Sequence, residues 1–248
     1  MTAEESTTLL ATLEEQERVW AERPLVRRLY RDWYRLIRAR LADVPGHTVE
    51  LGAGTARFKE AYPEAIATDV EATPWADQVV DALSLPYEDG SVANLVLVDV
   101  LHHLSSPTRF FDECKRVLAP GGRVIILDPY CSALSTPAYK HLHHERTDLS
   151  VPPLSDAPEL EGSALDSNQA RATLVFFRAP TQFRERWPEL RLVERRRLAF
   201  VLYPLSGGYS RRPLVPAALY RPLALFERAL QPLGRVAAFR CLVVLEKR

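Results

Sequence analysis

The feature that most constrains the fold of this chain is the alternation, after Gly46, of short apolar runs with turn-forming or helix-forming segments. The runs cover residues 48–51, 65–68, 78–80, 95–98 and 124–127. Apolar runs of this length, joined by crossover connections, are typical of parallel strands that are covered on both faces. The sequence therefore predicts an α/β fold built on a parallel sheet with covered faces.

Residues 4–42 predict two helices, because Leu25, Leu29 and Trp33 recur at helical spacing and Pro24 suits a first helical turn. Further helices are predicted after the glycine-rich turn near residue 56, at 107–118, near 138–144, and over 216–230 with a bend at Pro222, and further strands at 190–202 and 236–245. Too few residues separate Asp69 from Asp81 for a full crossover helix and strand, so that edge of the sheet should be abbreviated.

Composition excludes several classes of protein. A chain of 248 residues with 47% hydrophobic residues can bury a sizeable core, which argues against disorder. Its three cysteines form neither an even set nor a C-x-x-C pair, so we expect a reducing, cytoplasmic setting. No signal peptide or spanning segment is indicated.

Charge is uneven along the chain although it sums to zero. Residues 1–170 carry 16 Lys and Arg against 27 Asp and Glu, and residues 171–248 carry 16 against 5. The basic third could face an anionic substrate or surface, or it could reflect a coding bias towards arginine.

The run Glu50-Leu51-Gly52-Ala53-Gly54-Thr55 joins an apolar strand to a glycine-rich turn. Glycines there allow a ligand to approach the main chain, which indicates a nucleotide-like ligand. The dinucleotide pattern G-x-G-x-x-G has Arg57 in place of its third glycine, which weakens a nicotinamide interpretation. The carboxylate of Glu50 suits a ligand with a cationic group.

This run resembles the first motif of class I S-adenosylmethionine-dependent methyltransferases, with Ala56 in place of the usual last glycine. Four further segments match that family in order: 67–70, 81–91, 98–104 and 116–123. The ordered set, covering roughly residues 45–130, is more specific than any single motif. The resemblance implies a Rossmann-like fold, with a seven-stranded, mostly parallel sheet, an antiparallel last strand, an N-terminal helical cap and an insertion after the fifth strand.

The resemblance also implies S-adenosylmethionine as the cofactor. Glu50 would support the site or meet the ammonium group, Asp69 would accept hydrogen bonds from the ribose hydroxyls, and Asp81 would bind the adenine amino group. The full set of expected cofactor-binding residues is Glu50, Gly52, Ala53, Gly54, Thr55, Asp69, Val70, Asp81, Ala82, Leu83, Asp99 and Val100.

Methyl transfer needs little beyond the positioning of two reactants, and a base is needed only when the nucleophile must lose a proton. His102 and His103 follow the fourth strand at the edge where such sheets bind ligands. Either histidine is a candidate base, and the alternative is that they only shape the pocket.

The acceptor is expected to contact residues outside the cofactor motifs, namely Tyr130, His141, His144, Tyr209 and Arg211. His141 and Glu145 would share a helix face, which leaves a metal site as a minor alternative, but we expect no metal. The segment 214–233, with Leu219, Leu223, Phe226 and Leu230 on one face, favours core packing, and peripheral contact with a membrane stays open.

The expected organisation is one domain with a helical cap at 1–43, a cofactor-binding core at 44–130, an insertion at 131–185 and C-terminal strands with a helix at 186–248. The expected function is methyl transfer to an oxygen or nitrogen atom of a small or carrier-linked biosynthetic metabolite, without nucleic acid. A non-catalytic cofactor-binding partner of the same fold and a nicotinamide-dependent oxidoreductase stay open as alternatives.

Overall fold

Seven strands form one sheet in the computed structural model of the chain, which describes residues 3–142, 145–156 and 167–248. The strands are β1 His47–Leu51, β2 Ile66–Asp69, β3 Gln78–Val79, β4 Val92–Val98, β5 Leu118–Pro129, β6 Leu190–Leu198 and β7 Arg240–Lys247. Their order is β3-β2-β1-β4-β5-β7-β6. Strands β1 to β5 pair in parallel, and β7 runs antiparallel between β5 and β6. The predicted mostly parallel sheet is confirmed.

The helices are α1 Ala3–Glu22, α2 Pro24–Arg38, α3 Pro107–Val117, α4 Ser135–Leu142, α5 Arg171–Thr173, α6 Pro180–Arg186, α7 Leu202–Ser206, α8 Tyr220–Ala229 and α9 Gly234–Ala237. Two N-terminal helices were predicted, and both form. Pro24 lies in the first turn of α2, where its missing N–H costs nothing. The Ser106 hydroxyl caps α3 by accepting a hydrogen bond from the backbone N–H of Arg109 at 3.3 Å.

Helices cover both faces of the sheet. On one face, α3 buries Phe110 and Phe111 against the sheet, together with Trp187. On the other face, α2 buries Leu29 and Ile37. Because both faces are covered, the central strands are buried along most of their length, which explains their nearly continuous apolar sequences.

The connection from β2 to β3 contains no helix over its described residues, and β3 is two residues long. The predicted abbreviation of this sheet edge is therefore confirmed. The predicted helix after the glycine-rich turn is wrong in extent. Only a one-turn 3₁₀ helix, Arg57–Glu60, forms there, because Ala56 adopts a left-handed conformation with φ 53° that an α-helix does not continue through.

The predicted C-terminal elements are displaced. The strand expected at 190–202 ends at Leu198, because Ala199 has φ 61° and turns the chain towards α7. The strand expected at 236–245 begins at Arg240, after the helical turn of α9. The helix expected at 216–230 is divided into a 3₁₀ turn, Ala217–Leu219, and α8. Pro222 lies in the first turn of α8, where it does not interrupt a hydrogen bond.

The face of the segment 214–233 is packed only in part. Leu223 and Leu230 are half-buried against the apolar core. Leu219 and Phe226 are 43% and 53% exposed, so the predicted core packing of these two side chains is wrong. Their helical spacing places them beside the buried positions, but no element covers them within the part of the chain that is described.

The insertion contains more helix than its sequence predicts. Helix α4 begins at Ser135, three residues before the expected start, and ends at Leu142. Beyond it lie α5, a π-helical turn at Leu174–Arg178, and α6. These short elements have too few residues to show a clear apolar period in sequence.

None of the described helices is both long enough and apolar enough to cross a lipid bilayer.

Candidate active site

The glycine-rich turn follows β1 at the carboxyl edge of the sheet. Gly52 has φ +61° and Gly54 has φ +53°, conformations that favour glycine. A Cβ atom on Gly52 would lie 2.6 Å from Cγ2 of Val100, so a side chain has no room there. The turn therefore brings Gly52 against Val100, two residues that the sequence assigns to one site.

Asp69, the last residue of β2, lies beside this turn. Its Oδ2 accepts a hydrogen bond from the backbone N–H of Gly54 at 2.9 Å, and its Oδ1 accepts one from Val70 at 2.8 Å. Burial raises the pKa of Asp69, while these backbone hydrogen bonds act in the opposite direction. The carboxylate is thus held at the sheet edge in a fixed orientation, 8% exposed.

Glu50 lies in β1 and is 3% exposed. Its Oε2 atom has no hydrogen-bond partner among the described residues. Burial, and then the nearby charge of Asp69, raise the pKa of Glu50 to about 8. A buried carboxyl oxygen without a partner is costly, and a bound cationic group would provide one.

The third strand contributes the neighbouring predicted residues. The backbone N–H of Val80 donates to the carbonyl of Asp69 at 2.8 Å, which places the end of β3 beside Asp69. Asp81 follows, is exposed, and accepts a hydrogen bond from the backbone N–H of Leu83 at 2.8 Å. Ala82 is buried beneath this turn. Asp81 to Leu83 therefore form a turn at the same edge as Asp69.

Helix α1 lies over the glycine-rich turn. A Cβ atom on Gly54 would be 3.4 Å from Cδ2 of Leu13 and 3.8 Å from Oε1 of Gln16. Thr55, the next residue of the turn, is buried. The N-terminal helix thus covers the candidate site, as expected for a cap.

Asp99 follows β4 with φ 59°. Its carboxylate forms an ion pair with Arg240 and accepts a hydrogen bond from the Tyr30 hydroxyl at 3.3 Å. Arg240 also donates to the Tyr203 hydroxyl at 2.7 Å. The structure therefore places the predicted cofactor ligand Asp99 in a protein ion pair that joins β4 to β7 and α2.

His102 lies at the centre of a chain of buried polar groups. Its Nδ1 is 2.9 Å from Oδ1 of Asp128, and its Nε2 is 3.3 Å from Oε2 of Glu145. Burial acts to lower the pKa of His102, but the two carboxyl groups outweigh it and raise that pKa to about 10. The side chain amide of Gln169 donates to the same oxygen of Glu145 at 2.8 Å. A ring engaged at both nitrogens is poorly suited to accept a proton from a substrate.

His103 is the second of the two candidate bases. It is half-buried and its ring centroid lies 4.1 Å from that of His102. Both histidines belong to a 3₁₀ turn, Leu101–His103, directly after β4. The two histidines therefore lie at the edge of the sheet, as expected. His102 belongs to the hydrogen-bonded network with Asp128 and Glu145.

Among the described residues, one group of side chains has the composition of a metal site: His102, His103 and Glu145, whose ligand atoms lie within 4.8 Å of one another. The alternative considered from sequence, a shared helix face for His141 and Glu145, is wrong because α4 ends at Leu142. Oε2 of Glu145 instead lies 3.3 Å from Nε2 of His102.

The predicted acceptor residues are only partly gathered. Tyr130 is buried, and its ring packs against the ring of Phe177 and the guanidinium group of Arg197. Tyr209 is half-buried, and its ring centroid lies 5.1 Å from that of Tyr30.

The other acceptor candidates lie on or near α4. His141 is exposed on this helix. Arg211 is exposed and donates to the carbonyl of Leu142 at 3.1 Å, so its loop lies against the same helix. His144 lies outside the described residues.

Three polar residues near the site were not predicted from sequence. Gln169 reaches Glu145, and the backbone N–H of Asn168 donates to the carbonyl of His102 at 2.9 Å. Arg240 was also missed, although one arginine beginning the apolar run 240–245 is a signal of a buried ion pair. These residues come from segments that are far apart in sequence, so no motif or spacing along the chain predicts their contacts.

Residues 49–126 match the family model described as a methyltransferase domain. The matched region extends from β1 into β5, and the match indicates a methyltransferase domain in this part of the chain.

Similarity to curated sequences is local. The chain is 39% identical over 49 residues to norajmaline N-methyltransferase of Rauvolfia serpentina, an alignment covering 20% of this chain and 17% of that protein. It is 29% identical over 89 residues to an uncharacterized protein of Methanocaldococcus jannaschii, covering 33% and 43% of the two chains. The chain thus spans less than half the length of each relative.

Similarity to solved structures extends over the whole fold. Geranyl diphosphate C-methyltransferase from Streptomyces coelicolor, solved with Mg²⁺, geranyl diphosphate and S-adenosylhomocysteine, superposes with a TM-score of 0.54 at 13% identity, covering 94% of this chain and 83% of that chain. A SAM-dependent methyltransferase from Archaeoglobus fulgidus gives 0.53 at 14% identity, covering 89% and 94%. At these identities the likeness establishes the fold.

Proposed function

We propose that the protein is a methyltransferase that uses S-adenosylmethionine. The observation that carries this proposal is the buried Oε2 of Glu50, which has no partner among the described residues and lies in the strand that enters the glycine-rich turn. A cofactor with an ammonium and a sulfonium group suits such a carboxylate. The methyltransferase-domain match over 49–126 includes this strand and turn.

The residues present fit that cofactor. Asp69 supplies two carboxylate oxygens at the edge of β2, suited to a pair of ribose hydroxyls. Gly52 and Gly54 leave the main chain open to close approach. Asp81 and Leu83 form the adjacent turn, with a carboxylate suited to an adenine amino group. When bound, the cofactor supplies the methyl group.

The acceptor is proposed to be a small or carrier-linked biosynthetic metabolite, methylated at oxygen or nitrogen in the cytoplasm. Three buried free cysteines are in keeping with a reducing compartment. His103 is proposed to take the proton that a hydroxyl or ammonium nucleophile must lose. His102 is proposed as a positioning residue, because its ring is fixed between Asp128 and Glu145.

Calorimetric titration with S-adenosylhomocysteine and, separately, with NAD tests the proposed cofactor. We expect binding of S-adenosylhomocysteine and none of NAD. The variants Asp69→Asn and Asp81→Asn should both weaken binding of S-adenosylhomocysteine. The control is the exposed substitution Glu64→Gln, which should leave binding unchanged. Binding of NAD alone would overturn the proposal.

Incubation with methyl-labelled S-adenosylmethionine and fractionated metabolite and lipid extracts tests catalysis. The variant His102→Gln should still transfer the label, at a reduced rate, and the variant His103→Gln should not transfer it. This result would support the two proposed roles. Binding of S-adenosylhomocysteine without labelled product from any fraction would favour a non-catalytic binding partner.

A further inference from the structure

Six large apolar side chains from residues 214–236 are exposed to solvent. We call this group of side chains the C-terminal apolar surface. They are Leu214, Leu219, Leu225, Phe226, Leu233 and Val236, with exposures from 43% to 75%. Twelve large hydrophobic side chains are exposed across the described residues, so this short segment carries half of them. Apolar side chains exposed in such a cluster mark a surface that binds something.

The same segment is strongly basic. Its exposed arginines are Arg221, Arg228 and Arg235, and the exposed Arg211 and Arg212 lie just before it in sequence. Its one acidic residue is Glu227, and Oε1 of that side chain accepts hydrogen bonds from the backbone N–H groups of residues 200 to 202 at 2.7 to 2.9 Å. The only carboxylate of the segment is thus directed towards α7 and leaves the arginine charges uncompensated within the segment.

We infer that the C-terminal apolar surface docks on an anionic lipid bilayer. Arginines can place their charge among lipid phosphates while neighbouring leucine and phenylalanine side chains enter the acyl boundary. Positive charge next to a membrane is attracted by anionic lipids, and each residue adds to the affinity.

The shape of the surface favours a bilayer as its occupant. Its apolar side chains come from separate short elements, with Leu219 in a 3₁₀ turn, Phe226 in α8 and Val236 in α9. Because these elements are short and separate, the exposed side chains do not form one helical stripe of the kind that packs into a groove of a partner protein. A symmetric second copy is disfavoured, because a two-fold interface would bring the same arginines of both copies together.

The surface continues towards the insertion. Leu134 and Leu142, at the two ends of the α4 region, are 56% and 58% exposed. The backbone N–H of Leu134 donates to the carbonyl of Val236 at 2.9 Å, and Arg211 donates to that of Leu142. Docking would therefore place α4 next to the lipid headgroups, on the side where the acceptor residues were predicted.

Cosedimentation of the full-length chain with vesicles tests the inference. One set is phosphatidylcholine and the other is an equal mixture of phosphatidylcholine and phosphatidylglycerol. We expect binding to the anionic set, weakened by high salt. The double variant Leu225→Glu with Phe226→Glu should lower the partition coefficient at least tenfold, and Arg221→Gln with Arg228→Gln should lower it about thirtyfold on anionic vesicles.

Val193→Glu is the matched control, since Val193 is 42% exposed on β6, outside the surface. It should bind vesicles like the original protein. Circular dichroism of each variant checks that it is folded.

Three results would overturn the inference: no binding to anionic vesicles, equal loss of binding in the control and surface variants, or a dimer in light scattering that Leu225→Glu with Phe226→Glu dissociates. Vesicle binding is measured without cofactor, and affinity for S-adenosylhomocysteine is measured without vesicles. Failure of this inference is therefore distinguishable from failure of the proposed function.

Discussion

Replacing Glu50 by glutamine should remove a buried titration that costs stability as the pH rises. The carboxyl group of Glu50 has an ordinary pKa of 4.5 when unfolded and about 8 in the folded protein. Since the folded state holds its proton more tightly, the protein loses stability as the pH rises from the first value through the second. Each pKa unit is worth 1.36 kcal/mol, so the loss amounts to about 5 kcal/mol once the group is fully ionised.

Glutamine resembles the protonated acid in shape and carries no charge. The cofactor-free variant Glu50→Gln should therefore match the original protein near about pH 5 and exceed its free energy of unfolding by several kcal/mol near about pH 9. Urea unfolding across that range measures the difference. The exposed substitution Glu64→Gln controls for the loss of a carboxylate as such.

The same group should respond to the cofactor. The ammonium charge of S-adenosylhomocysteine near Glu50 favours the ionised carboxylate, so binding of this ligand near neutral pH should release up to about one proton. Calorimetry in buffers of different ionisation enthalpy counts that proton, and Glu50→Gln should release none. Parallel stability curves for the two proteins, together with equal proton release, would refute the reasoning.

Three further outcomes are expected. Asp69→Asn should weaken binding of S-adenosylhomocysteine roughly tenfold to a hundredfold through lost charge-assisted hydrogen bonds, measured by calorimetry, and unchanged affinity would remove Asp69 from the site. Gly52→Ala should lower the free energy of unfolding by about 1 to 3 kcal/mol, and adding Val100→Ala should recover only the steric part, because the positive φ remains. Arg240→Met should cost about 3 kcal/mol in urea unfolding by leaving the Asp99 carboxylate without its ion-pair partner, and adding Asp99→Asn should restore part of that loss; a double variant as unstable as the single one would contradict this account.

The meeting of the candidate cofactor residues at one edge of the sheet was predictable because these residues lie close together in sequence. Gly52 and Gly54 follow one apolar strand, and Asp69 ends the next strand. In a parallel sheet, the carboxyl ends of neighbouring strands meet at one edge, so the order of the strands along the chain already places these residues together.

The acceptor half was less predictable, because its groups come from segments without a shared pattern. His102 was predicted at the sheet edge, but its engagement by Asp128 and Glu145 depends on how the insertion folds back after α4. The helix face proposed for His141 failed for the same reason. A sequence period predicts contacts within one element and not those between an irregular segment and a sheet.

By itself the sequence determined the strand alternation, the glycine-rich turn and the carboxylate at the end of β2. These features depend on apolar runs and backbone conformations that are set by residues close together in sequence. Only the tertiary structure decided that Asp99 pairs with Arg240, that His102 is held between two carboxyl groups, and that Leu219 and Phe226 remain exposed. These outcomes depend on which distant surfaces meet, and burial changes both the charge of a side chain and the free energy of leaving it unpaired.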